Sequence, residues 1–319
     1  MVEAVNKDAR IFVAGHAGLV GSAIVRRLRA AGFGNLLTAP RRELDLRDQA
    51  AVRQWMQSNQ PEYVYLVAGT VGGIMANATR PAEFIYDNMM IHATVVHAAY
   101  LTDVTKLLYL GSSCIYPRHA PQPITEDALL TGTLEPTNES YAIAKIAGIK
   151  LCQAYKRQYG CNFVSAMPTN LYGPGDNFDL TSSHVLPALI RKFDDARREG
   201  RTAVEIWGTG TPMREFLHVD DLADACVFLM DNYDDEAHIN VGTGQDLTIR
   251  ELAETVRDIV HPTAELVFDS SKPDGMPRKM LDVSKLNSLG WKPSIPLREG
   301  IEETYRWYVA QTPDAIRGS

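Results

Sequence analysis

Apolar positions along the chain follow two rhythms. Short continuous runs such as Arg10 to Ala14 read as buried strands, and longer stretches repeat at helical spacing, as Val20, Ile24, Leu28 and Ala31 do. The pattern predicts strands at 10–14, 35–38, 63–67, 107–110 and 163–167, with helices at 19–32, 47–58, 82–103 and 139–158 between or beside them. Strand–helix alternation with short links predicts an α/β fold: a doubly wound parallel sheet covered on both faces. Beyond residue 170 proline and glycine cluster at 172–176, 208–212 and 272–277, and the rhythm loosens. Helices fit 184–198, 219–231, 248–259 and 298–310, and short strands fit 203–206, 238–241 and 265–268.

This division suggests a nucleotide-binding domain over 1–170, to which about 215–243 returns. A smaller C-terminal substrate-binding cap would then comprise 171–214 and 244–319. At 319 residues and 45% hydrophobic content, the chain can bury a full-sized core. The net charge of −7 excludes a dominant basic footprint, so nucleic acid is not an expected partner. No apolar run reaches the roughly 20 residues that span a bilayer, and residues 1–8 are polar, without a signal-peptide core. The four cysteines, Cys114, Cys152, Cys161 and Cys226, form no CxxC pair, and HExxH is absent. A cytoplasmic protein with reduced thiols, no metal and no membrane contact is expected.

The segment Gly15-His16-Ala17-Gly18-Leu19-Val20-Gly21 follows the first strand and opens the first helix. Gly15 permits a tight turn, Gly18 lets a pyrophosphate approach the backbone, and Gly21 lets helix and strand pack closely. The helix N-terminus offers free N–H groups to the phosphates. After the second strand the chain reads Ala39-Pro40-Arg41-Arg42 where an NAD site would place an acidic residue. Arginines there can fork onto a 2′-phosphate, so NADP(H) is the expected cofactor. Asp45 and Leu46 follow and fall where the adenine would lie.

Tyr141 and Lys145 are four residues apart in a predicted helix and share one face. An ammonium beside a phenol favours the phenolate, so Lys145 is expected to lower the Tyr141 pKa. Such a tyrosine can exchange a proton with a sugar carbonyl, and the lysine can hold the cofactor ribose. At the end of the fourth strand stands Leu110-Gly111-Ser112-Ser113-Cys114-Ile115-Tyr116. A hydroxyl there can bond the same carbonyl oxygen. Ser112 is the expected donor, with Ser113 the competing one.

These words together resemble the extended short-chain dehydrogenase/reductases. Within that superfamily the chain resembles the GDP-L-fucose synthase family, the GDP-4-keto-6-deoxy-D-mannose 3,5-epimerase/4-reductases. The resemblance rests on residues 111–117, 134–138, 141–151 and 167–174, and on Trp207-Gly, Thr211–Asp221, Asn240–Gly244 and Lys272-Pro-Asp-Gly275, and spans about 10–310.

It implies that protons are exchanged at carbons 3 and 5 of a GDP-linked 4-keto sugar, after which NADPH reduces carbon 4. It assigns the epimerisation acid/base pair to Cys114 and His184. Pro168, Asn170 and Leu171 correspond to the loop at the nicotinamide end. Lys192, Trp207, Arg214, Lys272 and Asp274 correspond to substrate-binding positions, and Asn77 and Arg80 border the sugar in a loop. Helices 82–103 and 139–158 correspond to a four-helix dimer interface, so a homodimer is expected. Related GDP-4-keto-deoxysugar or GDP-deoxyheptose enzymes share the pattern, and a redox-neutral nucleotide-sugar epimerase is a further alternative.

Two positions depart from the family. Ala17 stands where arginine is common, leaving Arg41, assisted by Arg42, to hold the 2′-phosphate. Ala68-Gly69-Thr70 stands where the family has Ala-Ala-Lys.

Overall fold

The architecture is that of a computed structural model, which describes residues 5–312 except Pro273. The first half runs β1 (Ile11–Ala14), α1 (Leu19–Ala30), β2 (Leu36–Leu37), α2 (Gln49–Asn59), β3 (Tyr63–Leu66), α3 (Ile74–Thr79), α4 (Pro81–Leu101) and β4 (Lys106–Leu110). Then come α5 (Glu139–Tyr159), β5 (Phe163–Pro168), β6 (Asn170–Tyr172), α6 (Val185–Glu199), β7 (Ala203–Trp207), β8 (Met213–His218) and α7 (Val219–Asn232). The remainder is β9 (Ile239–Val241), β10 (Asp246–Thr248), α8 (Ile249–Val260), β11 (Glu265–Asp269), β12 (Arg278–Lys279), α9 (Ser284–Ser288) and α10 (Leu297–Ala310).

Six parallel strands form the central sheet in the order β2-β1-β3-β4-β5-β9. The order reverses at β1, where β2 lies on one side and β3 on the other, and ligands bind at the carboxyl ends of strands at such a point. Helices α1 and α7 cover one face, with Ile24, Leu28, Leu222 and Met230 in its core. Helices α2, α4 and α5 cover the other, around Val52, Met56, Val95 and Ile149. Strands β1, β4 and β5 are buried along their whole length, which is why they read as largely apolar runs.

The helix ends have local causes. Asp48 caps α2 by accepting from the N–H of Ala50 and Ala51 at 2.9 and 3.0 Å. Pro81 occupies the first turn of α4. Gly160 ends α5 at φ +72°, a left-handed conformation that glycine adopts without strain.

The segment after residue 170 contains more strand than the pattern predicts. Strand β8 pairs with β10 and β12 through its first half and with β6 through its second. At two to six residues, these strands are too short to show an alternating pattern, and their partners lie 31 or more residues away in sequence. Strands β7 and β11 form a separate parallel pair, backed by a third core of Leu189, Phe193, Leu252 and Ile301. A second correction concerns Val71 to Arg80: this is not simply a loop, because Ile74–Thr79 is helical.

Candidate active site

The β1–α1 turn is tight. A Cβ on Gly15, at φ +99°, would stand 2.7 Å from the Ala68 backbone nitrogen, and one on Gly21 would stand 2.0 Å from the Gly15 carbonyl oxygen. No side chain caps α1 at Gly18, so its first-turn N–H groups, at Leu19, Val20 and Gly21, remain available as donors. His16 borders this turn, half-buried. A bare backbone cradle at a helix N-terminus fits the pyrophosphate of a dinucleotide. Past β2, Arg41 and Arg42 are exposed, and Arg42 lies 3.7 Å from Glu43. Asp45 is held by Arg47, and Leu46 packs against the sheet core.

Ser112, Cys114, Tyr141 and Lys145 meet beyond the end of β4. Ser112 leads into a 3-10 turn over Ser113–Ile115, and its hydroxyl accepts from the Cys114 N–H. The same hydroxyl acts as a hydrogen-bond partner of Tyr141, favouring its ionised form. Ser113 is buried, and of the two serines it is Ser112 whose hydroxyl partners Tyr141. Helix α5 carries Tyr141 and Lys145 on one face. Lys145 Nζ donates to the Leu110 carbonyl at 2.9 Å and lies 5.7 Å from the Tyr141 ring centre.

The expected lowering of the Tyr141 pKa is not what the structure gives. Burial, followed by the nearby Cys114, pushes the phenol well above its ordinary value, and the Ser112 hydrogen bond only moderates this. Lys145 donates to the Leu110 carbonyl and lies 5.7 Å from the ring centre, and its charge does not offset the burial. Its own pKa is pulled down to about 8, because burial penalises the ammonium more than Cys114 supports it. Tyr141 is therefore a phenol at neutral pH, the form that can donate a proton.

Burial likewise raises the Cys114 thiol, opposed by Ser112, Lys279 and Lys145. His184 precedes α6 at the N-cap position. The residue is exposed at the surface, yet the protein packed around its ring and then the Lys279 charge lower its pKa. Lys279 is the residue the sequence reading missed. It lies on β12 beside Arg214 of β8, and its charge is felt at both Cys114 and His184. Burial brings it to about 8, with Cys114 and Glu215 acting to raise it and Arg214 to lower it. It follows Arg278 in a segment without periodicity, and only the β8–β12 pairing brings it to the site.

The other expected residues make contacts of their own. Trp207 ends β7 and is 48% exposed, not a core tryptophan. Lys192 and Lys272 place their ammonium groups 5.0 and 5.7 Å from its ring. Arg214 donates to the Met213 carbonyl at 2.8 Å and feels the charges of Asp274 and Glu135. Asp274 accepts from the Thr209 N–H at 2.8 Å and hydroxyl at 2.9 Å, so both carboxylate oxygens already hold the 208–211 turn. Asn170 donates to the Glu215 carbonyl at 2.7 Å, which ties its amide to β8. Pro168 ends β5, Gly111 donates to the Ala166 carbonyl, and Leu171 packs against the sheet core. Asn77 turns its amide to the carbonyls of Gly72 and Gly73, and Arg80 pairs with Glu83 at 3.6 Å. Among the described residues no cluster of three or more His, Cys, Asp or Glu side chains could hold a metal ion, and no helix is long and apolar enough to cross a membrane.

The NAD dependent epimerase/dehydratase family model matches residues 11–242. GDP-L-fucose synthase 1 of Arabidopsis thaliana is 60% identical over 95% of this chain and 94% of its own length. The chain belongs to this family, and within it to the GDP-L-fucose synthases. Among solved structures, a GDP-6-OMe-4-keto-L-xylo-heptose reductase from C. jejuni superposes with a TM-score of 0.92 at 40% identity, covering 97% of this chain and all of that one. A GDP-L-fucose synthetase from Naegleria fowleri bound to NADP gives 0.90 at 31% identity, covering 97% and 95%.

Proposed function

We propose that this protein converts GDP-4-keto-6-deoxy-D-mannose to GDP-L-fucose by 3,5-epimerisation and NADPH-dependent reduction at carbon 4. The observation that carries this reading is the meeting of a buried thiol, Cys114, with the Ser112–Tyr141–Lys145 group at the end of β4. The family membership reported above supports it.

The ketone at carbon 4 acidifies the neighbouring C–H bonds, because the carbanion is delocalised onto its oxygen. Cys114 and His184 are the acid/base pair that moves protons at carbons 3 and 5. At neutral pH the first is a thiol and the second a neutral imidazole, so one group begins as donor and the other as acceptor. The Lys279 ammonium, whose charge reaches both, stabilises negative charge on either the thiolate or the enolate. When bound, NADPH supplies the hydride to carbon 4. Tyr141 donates its phenolic proton to the carbon-4 oxygen, and Ser112 bonds that oxygen and fixes its position. Lys145 holds the ribose of the dinucleotide.

Gly15, Gly18 and Gly21 form the pyrophosphate cradle, with His16, Leu19 and Val20 around it, and Arg41 meets the 2′-phosphate. Asp45, Leu46, Leu110, Gly111, Ser113, Pro168, Asn170 and Leu171 complete the cofactor wall. Lys192, Lys272 and Arg214 face the diphosphate, and Trp207 packs on the base or sugar. Asp274 acts through the 208–211 turn. Residues 1–170 with 215–243 bind the cofactor, and 171–214 with 244–319 bind the GDP-sugar. The exposed Tyr86 and Met89 of α4 and Ile143 and Tyr159 of α5 support a homodimer through these helices. A cytoplasmic location accords with the free thiols.

One reaction tests the reading. The protein is incubated with GDP-4-keto-6-deoxymannose and NADPH in heavy water. Deuterium at carbons 3 and 5, GDP-L-fucose as product and stoichiometric NADPH oxidation are expected. Reduction without label would leave a simple C4-reductase, and label without NADPH oxidation an epimerase alone.

A further inference from the structure

A chain of charged groups lies beside the segment that leaves β2. The Arg47 guanidinium forks onto Asp45, with Nε 3.0 Å from Oδ1 and Nη2 2.7 Å from Oδ2, and the Arg47 backbone N–H donates to Oδ1 at 3.0 Å. Its other amino group, Nη1, donates to Asp87 Oδ1 on α4 at 2.8 Å. Asp87 Oδ2 in turn accepts from the hydroxyl of Thr70 at 3.2 Å, the position where the family commonly has lysine. Asp45 is held down at about 2, chiefly by the Arg47 hydrogen bonds, and it also feels the charge of Arg41. Arg41 itself is exposed.

An ionised carboxylate at this end of a dinucleotide site has two effects. It repels a 2′-phosphate. It also competes with the phosphate for a nearby arginine. A bidentate fork engages both oxygens at once and neutralises their charge. We propose that Arg47 is a specificity-determining positioning residue: by holding Asp45 in this fork, with Asp87 as its second anchor, it keeps the Asp45 charge from competing for Arg41 and so frees Arg41 for the 2′-phosphate. The inference rests on the reading that Arg41 meets the 2′-phosphate. It gives Asp45, a carboxylate within reach of the Arg41 charge, a partner that neutralises it.

The test is direct binding of NADPH and NADH to the full chain, followed by dihydronicotinamide fluorescence and independent of turnover. Arg47→Met, which keeps an apolar stem, should lower the NADPH:NADH affinity ratio roughly ten-fold, the scale of one charge-assisted bond. Arg47→Lys, which keeps the charge but loses the fork, should fall between Arg47→Met and the parent. Adding Asp45→Asn to Arg47→Met should restore the ratio, because the carboxylate that Arg47 restrains is then gone. An unchanged ratio in both single variants, or no recovery in the double variant, overturns the proposal. Arg41→Ala separates the two readings: if it too leaves the ratio unchanged, the phosphate-site assignment is what has failed.

Discussion

Lys145 and Tyr141 share a helix face, yet the lysine ammonium bonds the Leu110 carbonyl at 2.9 Å and lies over the tyrosine ring, not against its hydroxyl. The contact that bears on the phenol is Ser112, and burial keeps the phenol protonated. Reduction of a ketone consumes a proton at oxygen, so a neutral phenol is the useful form.

Tyr141→Phe removes that proton while keeping the ring that packs edge-on against Phe84. The expected loss of NADPH oxidation is on the order of 10²–10⁴-fold, the usual worth of a positioned acid. Deuterium exchange at carbons 3 and 5 should persist, since it relies on other groups. Loss of both activities together would assign Tyr141 to the epimerisation as well.

Cys114→Ser and His184→Gln should slow solvent exchange into the sugar by about 10²-fold or more, with little change in GDP affinity. The readout is mass and NMR analysis of the label. If both variants exchange at the parent rate, the acid/base pair lies elsewhere.

Lys145 and Lys279 both have pKa values drawn from 10.5 to about 8. Their charged forms are nearly complete at pH 7 and are lost as the pH rises through 8. Accordingly kcat/KM for the sugar nucleotide should fall on the alkaline side with a midpoint near 8, with a slope approaching two protons. Arginine stays protonated, so Lys279→Arg should reduce that slope to one. A flat profile to pH 9.5 would remove both ammonium groups from the mechanism.

Gly148 faces Tyr109 across the α5–β4 contact, where an added Cβ would stand 2.4 Å from the tyrosine Cζ and Oη. Tyr109 is buried and cannot swing away, so Gly148→Ala should destabilise the fold by about 1–3 kcal/mol. Urea unfolding would measure it, and a change below about 0.5 kcal/mol would mean the helix can shift freely.

Tyr86 and Met89 are 62% and 44% exposed on α4. Placing a charge at each, as Tyr86→Glu with Met89→Glu, should convert a dimer to a monomer in light scattering. A parent protein that already runs as a monomer would disprove the helix-pair interface.

The first 170 residues were legible because their order is local. Parallel strands buried on both faces are apolar runs, the covering helices repeat every three to four residues, and the glycine turn lies within seven residues of chain. Tyr141 and Lys145 share a helix turn, so their spacing alone placed them together. What the sequence could not show depends on contacts between distant segments. Lys279 joins Cys114 and His184 only because β12 pairs with β8, and Thr209 claims Asp274 only because residues 65 apart meet. The protonation state of Tyr141 was likewise decided by tertiary burial, since desolvation from every packed side outweighs one neighbouring charge four residues away.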